Sequence, residues 1–322
     1  MKLPRRQFLH VAATAAALPA VSRFAWAQAY PTRPVRLIVG SPPGGVVDLY
    51  ARLIGQWLSE RLGQPFVIEN RPGAGGNIGT EAVVRAAPDG YTLLQLTAGH
   101  SWNVALYDKL NFNFIRDIAP VASIYSSSSA LLVHLSFPAK SVPELIAYAK
   151  ANPGKISMAS TGVGTVGHVY GELFKMMAGV DMLHIPYRGW PLPDLLAGQV
   201  PLMFEPIGSS LEYIRSGKVR ALAVTSATRA EVLPDIPTVA EFVTGYEASG
   251  WQGVGAPRNT PVEIINKLNE EINVALTDPK KARIADLGGT VLAGSPAEFR
   301  TFIGAYTEKW SKVIKLAGIK VD

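Results

Sequence analysis

The chain has 322 residues, no cysteine, 48% hydrophobic and 17% charged residues, and 31 Lys+Arg against 25 Asp+Glu, a formal net charge of +6. Without cysteine there are no disulfides, thiolate-zinc sites or cysteine nucleophiles, and so apolar a composition excludes a disordered chain. The basic balance does not point to nucleic acid: Lys2, Arg5, Arg6 and Arg23 all fall in the first 27 residues, which hold no acid, so the remainder carries only 27 bases against 25 acids.

Those first 27 residues read as a signal peptide. Arg5-Arg6-Gln7-Phe8-Leu9 is a twin-arginine pattern, and the apolar run Val11 to Ala20 follows it. Ala25-Trp26-Ala27 supplies an A-x-A cleavage site, with Ala27-Gln28-Ala29 as a second option. Pro4 and His10 depart from the strict twin-arginine pattern, so the ordinary secretory route stays open. The run is too short to span a bilayer, and nothing downstream is long and apolar enough to do so. The mature protein is therefore expected to be exported and soluble, folded as about two domains.

Beyond the leader, strand-like and helix-like periods alternate, the mark of an α/β fold. Val35–Val39 predicts a strand, and Leu49, Leu53, Ile54, Trp57, Leu58 and Leu62 a helix stopped by Gly63. Phe66–Glu69 predicts a second strand. A helix carrying Ile78, Ala82, Val83 and Ala86 follows, closed at Pro88-Asp89-Gly90, and Tyr91–Thr97 predicts a third strand. Ala130–Val133 reads as a strand, and Ser141-x-x-Glu144 as a capping box opening a helix over Val142–Lys150. Ile156–Ser160 feeds a helix over Thr165–Ala178, and further strands are expected at Met182–Pro186, Leu202–Phe204 and Ala221–Thr225. Two more boxes, Thr260-Pro261-x-Glu263 and Ser295-Pro296-x-Glu298, open C-terminal helices. The last should bury Phe299, Phe302, Ile303, Tyr306, Trp310, Val313 and Ile314 and end at Gly318.

Three strand-to-helix loops are rich in glycine: Ser41-Pro42-Pro43-Gly44-Gly45, Pro72-Gly73-Ala74-Gly75-Gly76 and Thr161-Gly162-Val163-Gly164-Thr165-Val166-Gly167. Glycine lets backbone approach a ligand, and the first N–H groups of the following helix carry partial positive charge, so such loops hold carboxylate or phosphate without Lys or Arg. Gly162-x-Gly164-x-x-Gly167 also matches a dinucleotide fingerprint, but Asp181 precedes the next strand where the fingerprint wants an acid at its end. Gly99-His100-Ser101-Trp102-Asn103 approximates a serine-hydrolase elbow with Asn103 in place of the last glycine. The histidines after the leader, His100, His134, His168 and His184, offer no helical metal-ligand spacing.

The segments Tyr30-Pro31-x-Arg33-Pro34-Val35-Arg36, Pro42-Pro43-Gly44-Gly45-x-x-Asp48, Glu69-Asn70-Arg71-Pro72-Gly73-Ala74-Gly75-Gly76-Asn77-Ile78-Gly79, Ala87-Pro88-Asp89-Gly90-Tyr91-Thr92-Leu93, His184-Ile185-Pro186-Tyr187 and Arg220-Ala221-Leu222-Ala223-Val224-Thr225, in this order, resemble the substrate-binding proteins of tripartite tricarboxylate transporters, the Bug/TctC family. The resemblance runs from Tyr30 to Ile319. It implies a type II periplasmic binding protein with two α/β lobes around a hinge and the ligand cleft between them: residues 28–127 with 251–322 as lobe 1, and 128–250 as lobe 2. It further implies capture of a small carboxylate by hinge closure, delivery to the transporter's membrane subunits, a monomer, no enzymatic activity, no cofactor or metal, and no nucleic acid as partner.

Carried over by position, the ligand groups are Pro43, Gly44 and Gly45 in the first loop, and Thr97, Ala98, His100 and Asn103 after the third strand. In the second lobe they are Ser160, Thr161, Gly164, Thr165, His168, Tyr187, Arg188 and Glu205. Asp48 is expected to cap the first helix. Val46 and Val47 stand where many relatives carry small hydroxyl residues, and Trp102 and Trp190 fall in ligand loops, so Val46, Val47 and Trp102 join the candidates. They favour an aromatic or longer apolar body on the carboxylate. An exported α/β enzyme acting on carboxylates, or a periplasmic sensor component, are the alternative readings.

Overall fold

The computed structural model describes residues 30–107, 109–277 and 288–319; the expected leader and cleavage site lie outside them. The first three strands each feed a helix. Strand β1 (Val35–Val39) leads to helix α1 (Val46–Leu62); β2 (Phe66–Asn70) leads through a 3-10 turn (Ala74–Gly76) to α2 (Asn77–Val84); β3 (Thr92–Thr97) runs directly into α3 (Ala98–Leu106). Next come α4 (Phe114–Asp117), the long β4 (Ile118–Val133), α5 (Val142–Ala151), β5 (Ser157–Ser160), α6 (Val166–Ala178), β6 (Leu183–Pro186), α7 (Leu192–Leu196), β7 (Leu202–Pro206), α8 (Ile207–Arg215) and β8 (Arg220–Val224). The chain closes with β9 (Ser249–Pro257), α9 (Val262–Thr277), β10 (Gly289–Val291) and α10 (Pro296–Ala317).

Among the described residues the strands run in the order β2-β1-β3-β9-β4-β7-β5-β6, with β8 and β10 also paired to β4. β1 is parallel to β2 and β3, and β5 is parallel to β6 and β7, so each half of the sheet is built from strand–helix–strand units. Val35, Leu37, Ile38 and Val39 of β1 are fully buried, as a parallel strand covered on both faces requires. β4 joins the halves. Its residues from Ile118 to Ser128 pair with β9, and Ser129 to Val133 pair with β7. Where a ligand binds in such sheets, it sits beyond the carboxyl ends of the parallel strands, on the loops that enter the helices.

The local signals act as their chemistry requires. Gly63 takes a left-handed φ of 70° and donates its N–H to Ser59 O, ending α1. Ser141 Oγ accepts from Glu144 N, and Ser295 Oγ from Glu298 N, opening α5 and α10. Four expectations are corrected. Thr260 donates to Pro257 O and forms no box with Glu263. Phe302 is 38% exposed at the edge of Trp251, so α10 buries a narrower stripe: Phe299, Ile303, Trp310 and Ile314. Ile78 lies on the outside of α2, over Gly73. The strand expected at Ala130–Val133 is only the end of β4, and β9 carries no strand-like pattern at all.

Candidate functional site

A cavity of about 790 Å³ opens where the helix-entering loops of the two halves meet. Its walls come from Gly40–Pro43 and Gly45–Val47 before and within α1, Pro72–Gly76 before α2, Thr97, Gly99, His100 and Tyr107 around α3, Thr161–Gly167 before α6, Tyr187–Trp190 after β6, and Phe204–Pro206 at the end of β7. The volume is that of a small-molecule site.

The first wall is a turn held open from behind. Gly44, at φ 89°, donates its N–H to Asp48 Oδ2 at 3.0 Å. Asp48 also accepts from Arg52 at 2.9 and 3.0 Å and from Asn70 Nδ2 at 2.9 Å. Burial alone would raise its carboxyl, but the bonds from Arg52, Gly44 and Asn70 outweigh burial and hold it below the usual carboxylate range. Asp48 thus stays charged and faces away from the cavity, while the first N–H groups of α1, which have no partner within the helix, stand at the wall with Val46 and Val47. Asp48→Asn should cost about 1–3 kcal/mol by leaving the Arg52 and Gly44 donors poorly matched. Urea unfolding checks this, and an unchanged midpoint would rule out the bracing role.

The second wall repeats the design with different props. Gly162 and Gly164 take φ of 138° and 77°. Ser160 Oγ accepts from Gly162 N–H and lies 2.7 Å from His184 Nε2; Thr165 Oγ1 donates to Gly162 O; Gly164 N–H donates to His168 Nδ1 at 3.0 Å. His168 and His184 stack at 3.8 Å between ring centroids. Burial, reinforced by the charge of Lys175 nearby and for His168 by His184 itself, pushes the two imidazoles down to about 3 and about 4, so both are neutral near pH 7.

At the third wall, Thr97 N–H donates to His100 Nδ1 at 3.0 Å in a capping box in which histidine stands in for the usual Glu or Gln. Because Nδ1 accepts, the imidazole proton is assigned to Nε2, which is buried with no hydrogen-bond partner. Burial pushes His100 down to about 4. At the fourth, Tyr187 Oη donates to Asp194 Oδ2, and Glu205 accepts from Trp190 Nε1 at 2.9 Å and Ser209 Oγ at 2.5 Å. Burial raises Glu205 to about 7 against these two donors.

Of the sequence candidates, Pro43, Gly45, Val46, Val47, Thr97, His100, Thr161, Gly164, Thr165, Tyr187, Arg188 and Glu205 are brought together at the cavity. Gly44, Ala98, Trp102, Asn103, Ser160 and His168 are not. Gly44 turns its N–H to Asp48, and Ser160 and His168 hold the Gly162–Gly164 turn from beneath. The other three follow from α3 being a helix where a loop was expected. Helical spacing sends Ala98, Trp102 and Leu106 inward, at 1%, 0% and 4% exposure. Trp102 packs on Trp310 and Tyr170 and donates Nε1–H to Gly164 O at 2.7 Å, linking α3 to the second wall. Asn103 donates Nδ2–H to Gly75 O and Asn77 Oδ1, fixing the Gly73–Gly76 turn. The cavity adds Tyr107, to which no sequence signal pointed, and the Pro72–Gly76 turn, legible as a glycine loop but not among the candidates.

The chemistry available is anion recognition by backbone N–H groups, with Arg188 the cationic side chain of the wall. Ser101, the serine of the elbow-like segment, is buried in α3 with its hydroxyl unpartnered. Of the Ser160–His184 pair, Ser160 is buried and its hydroxyl is engaged by Gly162 of its own loop. Among the described residues no group of three or more His, Asp or Glu side chains could hold a metal ion, and no helix is long and apolar enough to cross a membrane.

Such a fold, with cavity walls from both halves of the sheet and helix N-termini turned to it, is that of a periplasmic solute-binding protein. The family profile described as "Tripartite tricarboxylate transporter family receptor" matches residues 50–319, and the chain belongs to that family. It is 37% identical over 303 residues to protein BugT of Bordetella pertussis, covering 92% of each chain. Among solved structures it is similar to R. palustris Rpa4515 with adipate, at 38% identity and TM-score 0.87, over 91% of this chain and 100% of that one. It is also similar to MatC from Rhodopseudomonas palustris with bound malate, at 34% identity and TM-score 0.83, over 88% and 100%.

Proposed function

We propose that this chain is an exported, monomeric, non-enzymatic receptor that takes a small carboxylate between the 41–47 and 161–167 loops, closes over it and delivers it to the membrane subunits of a tripartite tricarboxylate transporter. The observation that carries the reading is the cavity wall itself. Two helix N-termini meet there across the sheet halves, each behind a glycine turn whose props (Asp48, Ser160 and His168) point away from the ligand space. The adipate and malate carried by two relatives are carboxylates of this kind. The lobes are residues 28–127 with 251–322, and 128–250; the change of β4 partners between Ser128 and Ser129 favours that division. The leader at residues 1–27 directs export.

The solute's body is apolar or aromatic. Val46, Val47 and Trp190 line the cavity, while Trp102 does not, so this part of the reading rests on three side chains instead of four. A thermal-shift screen of benzoate, hexanoate, adipate and citrate tests it. A true ligand at 100 times its Kd should stabilise by about 2.7 kcal/mol. Stabilisation by citrate with none by the apolar acids would sink the apolar body, and no shift with any carboxylate would sink the receptor reading. Arg188→Ala should weaken the bound acid about 10-fold, the loss of one charge-assisted contact. Calorimetry reads this directly, and unaltered affinity would place Arg188 outside the contact set.

A further inference from the structure

Glu205 is the one acidic side chain among the described residues of a wall otherwise suited to anions, and it is 5% exposed. Its two oxygens are unequal. Oε1 accepts both the Trp190 indole N–H and the Ser209 hydroxyl, whereas Oε2 makes no hydrogen bond to any described protein group. A carboxylate would place its charge beside an incoming anion in a low-dielectric cavity, which is strongly unfavourable. A carboxylic acid fits the same geometry without conflict: Oε1 is the carbonyl-type oxygen that the two donors require, and Oε2 carries the proton.

We infer that Glu205 enters the binding cycle as a neutral acid whose Oε2–H donates to an acceptor on the solute. The solute is then an acid with a second acceptor group, a carboxylate or carbonyl oxygen, and its capture takes up a proton. This rests on the carboxylate reading above. The other titratable and charged groups near Glu205 do not account for a proton taken up between pH 6 and 8. His168 on α6, His184 on β6 and His100 across the cavity are held neutral by burial, at about 3, 4 and 4. On α6, Glu172 is paired with Lys175. Tyr187 donates to Asp194, and burial together with that bond raises its phenol. Arg188 is the cationic side chain of the wall, and Tyr213 and Glu212 lie on α8, Tyr213 against the Trp190 ring. The position of Glu205, raised to about 7 by burial, puts its proton in reach at neutral pH.

The sign follows from linkage. A solute that binds only the protonated form binds more weakly as pH rises through about 7, by about 10-fold between pH 6 and pH 8. Calorimetry of the full chain would use adipate, hexanoate and ε-aminocaproate, with terephthalate, benzoate and p-aminomethylbenzoate as aromatic counterparts, in two buffers of different ionisation heat. The wild-type protein should prefer the diacid of at least one series, take up protons at neutral pH, and lose about 10-fold in affinity by pH 8. Glu205→Gln, whose amide N–H can replace the acid O–H, should bind the same diacid with no pH dependence. Proton uptake by the wild-type protein decides the matter even if the variant fails to fold. Carboxylate binding that is flat with pH and releases or takes up no proton would overturn the inference and leave the receptor reading standing. So would preference for an amino acid that Glu205→Gln abolishes. Failure of every acid to bind would overturn both.

Discussion

Replacing Trp102 by alanine should destabilise the protein by about 3–5 kcal/mol, the usual cost of emptying a fully buried aromatic site. The indole is 0% exposed and makes edge contacts with Trp310 at 5.2 Å and Tyr170 at 6.2 Å between ring centroids. Its N–H is also the donor to Gly164 O, so the substitution leaves a carbonyl of the second glycine turn unpaired. Trp102→Phe separates the two effects. It keeps most of the packing and should cost about 1–3 kcal/mol, chiefly for the lost bond. Circular dichroism in urea measures both, and a loss below 1 kcal/mol for alanine would contradict the packing described.

The second large effect is with pH. His100 and His168 are neutral in the folded protein down to about 4 and 3, whereas an unfolded histidine titrates near 6.5. Between these values the unfolded chain binds more protons, so stability falls as pH falls from 6.5 toward 4. Each fully responding group contributes about 1.4 kcal/mol per pH unit. Glu205 works in the opposite sense. Its folded value of about 7 lies above the ordinary 4.5, so its contribution is present below 4.5 and is lost as pH rises toward 7. Two histidines against one glutamate leave a net loss of about 2 kcal/mol between pH 6.5 and pH 4.5, and His184, more exposed than the others, adds to it in part. Urea midpoints at the two pH values test this; equal stability at both would mean that the imidazoles are not held neutral.

Much of the scaffold is local chemistry and was legible as such. Apart from Arg36, β1 is built of branched apolar residues, Gly63 and Gly318 stop helices, and Ser141 and Ser295 cap them. The glycine loops were legible for the same reason, since a left-handed turn before a helix has a compositional signature. What escaped depends on partners distant in sequence. β9 carries Gly250, Gly253 and Gly255, residues that ordinarily weaken a strand. In the fold, a Cβ at Gly253 would meet Ala122 O at 2.5 Å and collide with the Phe299 ring, so the glycine marks close approach within a sheet. The serine run at Ser126–Ser129 hid the middle of β4 in the same way, because its pairing with β9 is long-range.

The site shows the same division. Backbone positions such as Gly45 and Gly164 were found because glycine declares them. Side chains were misplaced wherever direction mattered: Trp102 and Asn103 point away from the cavity because α3 begins immediately after Thr97. The sequence places Ser160 and His168 among the ligand groups, yet their polar atoms hold the Gly162–Gly164 turn. The stacking of His168 on His184, sixteen positions apart, has no trace in spacing.

The central claim, that the cavity holds a carboxylate by the backbone of two glycine turns, is tested most directly by native mass spectrometry of the protein purified without unfolding, with the retained small molecule then released and identified. The expected result is one small carboxylic acid per chain, absent from protein prepared by unfolding and refolding. A retained molecule with no acidic group, displaced by none of the acids above, would contradict it.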